Sequence, residues 1–315
     1  MCQLDRVSWS VRKTRQIRME TFRTKLGQVE RALLDAEVFC GHGYLSAHDE
    51  AVALLLGASG LSPDQDQSLL DAPFPPEAAN QLDIWVGERC VSRRPTAYIL
   101  GEAYLGGYRF LSDERALIPR SPIAHLILDE LNPWLSVDCG PGTIVEVCCG
   151  GGNLGIVAAQ VFQQSRVWLA DLDEPALLLA RENVALHKLA SRVGCYRGDL
   201  LSAIAPASVD LIIANPPYVS ADEMQDLPPE YRHEPAMALL AEEDGTQLAR
   251  QLLRQAAKAL RPDGLMVLEV GETMWEMEAR FPEVPFLWLD LPQGGSGIVA
   301  MRAQELRDWS AAGIL

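Results

Sequence analysis

No stretch of this 315-residue chain is apolar for long enough to span a bilayer, and its start, Met1-Cys2-Gln3-Leu4-Asp5, lacks the apolar core of a secretion signal. Both absences point to a cytoplasmic protein. The seven cysteines are an odd number, with Cys148 and Cys149 adjacent, and make no disulfide framework in a chain of this size. They are expected to be reduced and buried. No paired base accompanies Cys148 or Cys149 in the sequence, so packing is expected of them rather than thiol nucleophilicity. Closely spaced pairs of metal ligands are missing too: Cys40-Gly41-His42 with His48 is one loose cluster in a helix-to-helix turn, and no metal is expected. No internal repeat is evident.

Positive charge is scarce outside the start. Residues 1–31 hold eight Lys/Arg against three Asp/Glu, a net of +5, while the whole chain carries −16, which leaves −21 on the remainder. An acidic body repels phosphate backbones and attracts cationic proteins, which argues against DNA or free RNA as substrate. The basic run Arg12 to Arg18 reads most simply as a solvated tail, with contact to an RNA backbone as the alternative.

What is present is a two-part pattern, and 315 residues with 48% hydrophobic side chains exceed what one core usually serves. Helical spacing runs from Thr21 to Gly41 through Phe22, Leu26, Val29 and Leu33; Ser46 caps a second helix to Leu56, and Pro75-Pro76-Glu77 opens a third through Leu82, Trp85 and Cys90. The stretch Thr96 to Leu117, with Gly106-Gly107 at its middle, reads as a hairpin. From Ser121 onward helices and strands alternate, which predicts a parallel sheet covered on both faces. At the end, Phe286 to Leu289 and Gly297 to Met301 read as two strands around Gly294-Gly295.

The chemistry-bearing motifs fall at strand tips. Val145-Glu146-Val147-Cys148-Cys149-Gly150-Gly151-Gly152-Asn153-Leu154 reads as strand, glycine turn and helix start, and Val167 to Asp171 as a second strand ending in an acid. Glycines let backbone pass close to a ligand, and a carboxylate at the next strand tip can accept both hydroxyls of a ribose. Gly150, Gly152 and Gly155 also satisfy the dinucleotide spacing, so the glycines alone leave NAD open. The acid Glu146 four residues before Gly150, Asp199 after a third strand at Val193 to Arg197, and the loop after a fourth fit S-adenosylmethionine better. That fourth strand, Val209 to Ala214, runs into Asn215-Pro216-Pro217-Tyr218. An Asn oxygen beside carbonyls of residues without N–H groups forms an acceptor cluster suited to the two hydrogens of a planar amine. The alternative for Asn-Pro-Pro is a simple turn, and for Asp199 a turn residue.

With these residues in place, the chain resembles the protein-glutamine N5-methyltransferases of the class I, S-adenosylmethionine-dependent superfamily, over roughly Leu26 to Leu306. Arg94-Pro95-Thr96-Ala97-Tyr98, Asp113 to Ile123 and Asp226 to Pro235 carry the likeness. Pro119-Arg120-Ser121-Pro122-Ile123 and Tyr231-Arg232-His233-Glu234-Pro235 favour the ribosomal-protein branch over the release-factor branch. The chain departs from the family's pattern at Glu146-Val147-Cys148-Cys149, where the acid is usually Asp, and at His125, where Glu is common; His125 is expected as a partly exposed helix residue.

The resemblance implies an α/β fold: a Rossmann-like sheet of seven strands, a small N-terminal helical domain and a connecting β-hairpin. It divides the chain into a basic tail (1–20), a helical substrate-recognition domain (21–95), a hairpin linker (96–120), the catalytic domain (121–306) and a tail (307–315). It implies methyl transfer from S-adenosylmethionine to a glutamine side chain of a basic ribosomal protein, large-subunit uL3 first. Asn215 and the Pro216 carbonyl would accept the amide hydrogens, Tyr218 would pack over the reacting centre, and Pro217 would line the substrate site. Glu146, Gly150, Gly152, Asp171, Asp199 and Asn215 would hold the cofactor, with Asp171 on its ribose and Asp199 near its adenine amine. Glu234 and Tyr231 would lie on the loop that selects the substrate. The alternatives are a release factor as substrate, an adenine N6 or guanine N2 amine, or an idle cofactor-binding scaffold.

Overall fold

A computed structural model describes residues 20–135, 140–241, 244–292 and 294–315. The basic run Arg12 to Arg18 lies outside the described residues. The N-terminal part is helical: α1 (Phe22–Asp35), α2 (Ala47–Ala58) and α3 (Pro76–Gly87). Thr21 and Ser46 cap the first two by accepting the N–H groups of Thr24 and Asp49, and Pro76 opens the third, where its missing N–H is not needed. The first helix stops at Asp35 rather than near Gly41, because Glu37 turns into the left-handed region at φ 51°. Phe22, Val29, Leu33, Leu54, Leu55 and Leu82 form this part's own core. Burying each such side chain is worth about 1.5–3 kcal/mol.

Between the two parts, only Glu102–Leu105 (β1) and Tyr108–Leu111 (β2) pair as the hairpin, turning through Gly106 and Gly107, which take φ of 58° and 81°. Thr96–Leu100, expected as hairpin, is a short helix (α4): Pro95 fixes its entry, and Gly101 closes it with φ 71°.

The α/β part begins with α5 (Ile123–Leu128), on whose exposed side His125 lies. It continues through β3 (Thr143–Val147), α6 (Asn153–Val161), β4 (Arg166–Asp171), α7 (Glu174–Leu186), β5 (Val193–Arg197), β6 (Val209–Ala214), α8 (Glu223–Asp226), α9 (Gln247–Ala259), β7 (Leu260–Glu269), α10 (Met274–Arg280), β8 (Ile298–Arg302) and α11 (Ala303–Ala311). The sheet order is β5-β4-β3-β6-β7-β8, parallel except for β8. Alternation along the strands divides the core. Ile144, Leu211, Ile213 and Val267 pack with α5, α6 and α7, while Val145, Val147, Ile212 and Leu268 pack with α9, α10 and α11.

Two expectations need correction. The sheet has six strands among the described residues, not seven: Phe286 to Leu289 contributes one antiparallel bridge, Trp288 to Val299. Pro285 and Pro292 flank that segment and remove ladder donors, and Phe286 stacks on Trp288 at 5.0 Å instead of extending a strand. Residues 307–315 are not a tail. Arg307 donates to the carbonyls of Ala257 and Leu260, and Trp309, Ile314 and Leu315 pack on the second core.

Candidate active site

The chain winds from β3 outward to β5, then crosses back to lay β6 on the other side of β3. Neighbouring strands whose connections leave in opposite directions open a crevice at their carboxyl ends. There the glycine loop after β3 faces the Asn215 loop after β6 across a cleft of about 740 Å³. Glu146, Gly150, Asp171 and Asn215 all line it, together with Leu117 to Ser121 from the segment that follows the hairpin.

The glycine loop is shaped from within. Cys148, Gly150 and Gly152 take φ of 52°, 49° and 76°, so the chain coils left-handed before α6 starts. A Cβ on Gly152 would come within 2.6 Å of Leu169, whereas one on Gly150 would meet only Ala116 at 3.7 Å and would project into the cleft. Gly152 is thus required by packing, and Gly150 by what the cleft must admit. Asp171 accepts the Gly150 N–H at 2.8 Å and the Asp173 N–H at 2.9 Å. Glu146 accepts the Gly155 N–H at 2.8 Å. Burial pushes the Glu146 carboxyl up to about 8 against the hydrogen bonds from the loop, and burial likewise raises Asp171.

The residues fit an adenosine-bearing cation. Both cleft carboxyls have lone pairs beyond those taken by the backbone, and the two arginines on the wall are already neutralised. Arg115 is paired with Asp113 and Glu182, and Arg120 is paired with Glu234. A bound sulfonium would therefore meet no unpaired cation on that wall and could face the Asp171 carboxylate.

Asn215 also lines a second cleft, of about 530 Å³, with Pro216, Pro217, Tyr218, Val219 and Glu269. Leu117, Arg120, Asn215, Pro217 and Ala238 are common to both clefts, so the Asn-Pro-Pro loop is the partition where they meet. The Asn215 side-chain amide has no hydrogen bond to any described residue. Tyr218 is held from behind: its carbonyl accepts the Thr273 hydroxyl at 2.9 Å, and its ring lies on Gly271, where a Cβ would come within 2.6 Å.

Two expected site residues do not line the clefts. Asp199 is exposed, lines neither cleft, and accepts the Ser202 N–H through its carbonyl. Glu234 also lines neither cleft, because its carboxylate is fully engaged. It accepts from Arg120 at 2.6 and 2.8 Å and from the Ile118 N–H at 3.0 Å, with His42 Nε2 at 3.4 Å but poorly aligned. Burial would raise this carboxyl, but the Arg120 guanidinium and His42 hold it down at about 2. Glu234 fixes the cleft wall from behind. Tyr231, on the same loop, lies under the Arg120 guanidinium at 5.4 Å.

Other residues escaped the sequence. Asn183, fully buried on α7, accepts the Leu111 N–H at 2.7 Å and donates to the Leu111 and Gly151 carbonyls, joining the hairpin to the glycine loop. A polar residue on the apolar face of a helix was its signal. Ser121 and Glu269 form a buried pair by the second cleft, and an acid ending the apolar run Leu265 to Leu268 was theirs. Burial raises both Cys148 and Cys149 far above ordinary thiols, which makes them poor nucleophiles. Cys40, His42 and His48 do not converge: His42 is buried against Glu234, and His48 pairs with Glu30 at 3.2 Å.

Comparison with known proteins fits this geometry. Residues 125–228 match the family model described as "Methyltransferase small domain". A ribosomal protein uL3 glutamine methyltransferase of Bordetella pertussis is 39% identical over 91% of this chain and 97% of its own length. Proteins of the same description from Burkholderia pseudomallei (38% identical; 86% of this chain, 91% of that one) and Francisella tularensis subsp. tularensis (35%; 85% and 86%) agree. The chain belongs to the ribosomal protein uL3 glutamine methyltransferase family. It is a protein-glutamine methyltransferase of the class I fold. The match covers the helical part and the catalytic part together, so both clefts and the segments that wall them fall within the shared architecture.

Proposed function

We propose that this enzyme transfers the methyl group of S-adenosylmethionine to the side-chain amide nitrogen of a glutamine in ribosomal protein uL3. The observation that carries the proposal is the position of Asn215, whose amide, unpartnered among the described residues, lies where the cleft of the glycine loop and Asp171 meets a second cleft. When bound in the first cleft, S-adenosylmethionine supplies an electrophilic methyl group. Asp171 would hold its ribose, and Glu146, Gly150 and Asn215 would bound its path. The names of the relatives support uL3 as the substrate.

An amide nitrogen is a poor nucleophile because its lone pair is delocalised into the carbonyl. Asn215 Oδ1 and the Pro216 carbonyl would accept its two hydrogens, draw electron density onto nitrogen and fix its face towards the methyl group, an effect worth roughly 3–4 kcal/mol for one oriented group. Pro217 lines both clefts, and Tyr218 lines the second one. The net charge of −16 favours a cationic protein over a nucleic-acid amine. Incubation with purified uL3 and tritiated-methyl S-adenosylmethionine should give one added methyl on a glutamine by mass spectrometry. Label in RNA or DNA, with none in uL3, would replace this reading with the nucleic-acid one.

A further inference from the structure

We propose that Glu269 is the proton acceptor of the methyl-transfer reaction, held by Ser121 beside Asn215 at the wall of the second cleft. The proposal rests on the reaction given above. In the parallel pairing of β6 with β7, Leu211 lies opposite Leu265 and Ala214 opposite Leu268. One step further brings Asn215 level with Glu269, and partners on adjacent parallel strands project to the same face of the sheet. Both line the second cleft.

The Glu269 side chain is built in. The residue is 7% exposed, the Ser121 hydroxyl donates to Oε2, and Oε1 accepts from no described residue. The charged or titratable groups facing it are Arg120, from the segment before α5, and Tyr218, from the loop after β6, while β8 presents Ile298. Arg120 does not pair with it, because both main contacts of that guanidinium go to Glu234. A carboxyl buried without a cationic partner destabilises the fold in its charged form, which favours a functional reason for its presence.

The reaction needs such a group. Methyl transfer breaks the carbon–sulfur bond, leaves its electron pair on sulfur, and forms a carbon–nitrogen bond with the amide lone pair. The nitrogen then bears two carbons, two hydrogens and a positive charge. One proton must leave, returning its bonding pair to nitrogen. Asn215 and the Pro216 carbonyl can hold that hydrogen but are too weakly basic to keep it. Glu269 takes the proton as a carboxylate and passes it to water through the cleft. Burial pushes its carboxyl up to about 7 against the Ser121 hydrogen bond and Arg120, which makes it a stronger base than an exposed glutamate.

The test is kcat against pH with uL3 and S-adenosylmethionine. The parent rate should rise with pH along an acid limb as Glu269 ionises. Glu269→Gln, which preserves shape and can still accept from Ser121, should lower kcat at least 10²-fold, abolish that limb, and leave the calorimetric affinity for S-adenosylmethionine unchanged. Glu269→Asp should keep the limb at reduced rate. Ser121→Ala, which removes a donor to the charged form, should move the limb to higher pH by about one unit. In the absence of substrate, the infrared carboxyl band should lose in Glu269→Gln the component that titrates near 7, while the Glu146 component, which titrates near 8, stays. Parent-like turnover of Glu269→Gln, or a lowered rate with the limb intact, would overturn the role of Glu269 alone. A parent enzyme that methylates no glutamine would overturn the proposed reaction with it.

Discussion

Arg89 Nη1 donates to Glu230 Oε1 at 2.9 Å, joining two fully buried side chains 141 residues apart in sequence. Arg89 follows α3 in the helical part, and Glu230 sits on the short 3-10 turn Pro229–His233 that follows the Asn-Pro-Pro-Tyr loop. From its other edge Arg89 donates to both Glu50 oxygens, at 2.6 and 3.0 Å, and to the Phe39 carbonyl at 2.7 Å. Four residues beyond Glu230, Glu234 grips Arg120 on the cleft wall. One loop is therefore bolted to the helical part by one glutamate and to the catalytic wall by the other.

Arg89→Met should leave Glu50 without a cationic partner and Glu230 with only Arg93 at 3.5 Å, and destabilise the enzyme by about 3–5 kcal/mol, since an unpaired buried charge is worse than no pair at all. Scanning calorimetry should show melting several degrees lower, and adding Glu50→Gln and Glu230→Gln should recover part of the loss. A single variant melting with the parent would remove the network from the stability of this interface.

The second bolt should loosen in acid. The Glu234 carboxyl sits at about 2 in the folded chain against an ordinary 4.5. A depressed carboxyl contributes stability that is present above its unfolded value and lost as pH falls from about 4.5 towards 2, roughly 3 kcal/mol in all. The parent should therefore lose more stability than Glu234→Gln over that window in chemical denaturation. Equal slopes for the two proteins would contradict the assignment.

Strand tips were legible because each ends an apolar run with a polar residue: Glu146, Asp171 and Asn215 all line the first cleft. β6 falls at Val209–Ala214, the run read from the sequence, since six residues bounded by Pro206-Ala207-Ser208 and Asn215-Pro216-Pro217 leave little freedom. What the sequence hid depends on three-dimensional partners. Glu234 reads as an exposed loop acid until Arg120, 114 residues earlier, is seen to close on it. Asp199 shares the strand-tip pattern, yet it is exposed and lines neither cleft, although its charge reaches Cys148 on the first cleft's wall. The absence of a seventh strand among the described residues reflects prolines whose effect depends on whether a neighbouring edge needs their donors.

Asp171 tests the first cleft. Asp171→Ala removes the proposed ribose acceptor and should weaken S-adenosylmethionine roughly 10- to 100-fold by isothermal calorimetry, the range for a hydrogen bond to a charged group. Because the same carboxylate also braces the Gly150 and Asp173 N–H groups, a melting curve should accompany the titration. NAD should not compete. Undiminished binding in a folded variant would take Asp171 out of the site.

Asn215 separates binding from chemistry. Its amide has no internal partner to lose, so Asn215→Ala should leave the melting temperature and cofactor affinity near the parent's. The acceptor matters most as charge develops on the glutamine nitrogen, so the loss should appear in kcat, by roughly 10²- to 10³-fold, with little change in KM. Asn215→Asp keeps an oxygen at the same reach and should retain more activity than the alanine variant. A change confined to KM would make Asn215 a docking residue, and an alanine variant as fast as the parent would reduce Asn-Pro-Pro to a turn that only shapes the partition between the two clefts.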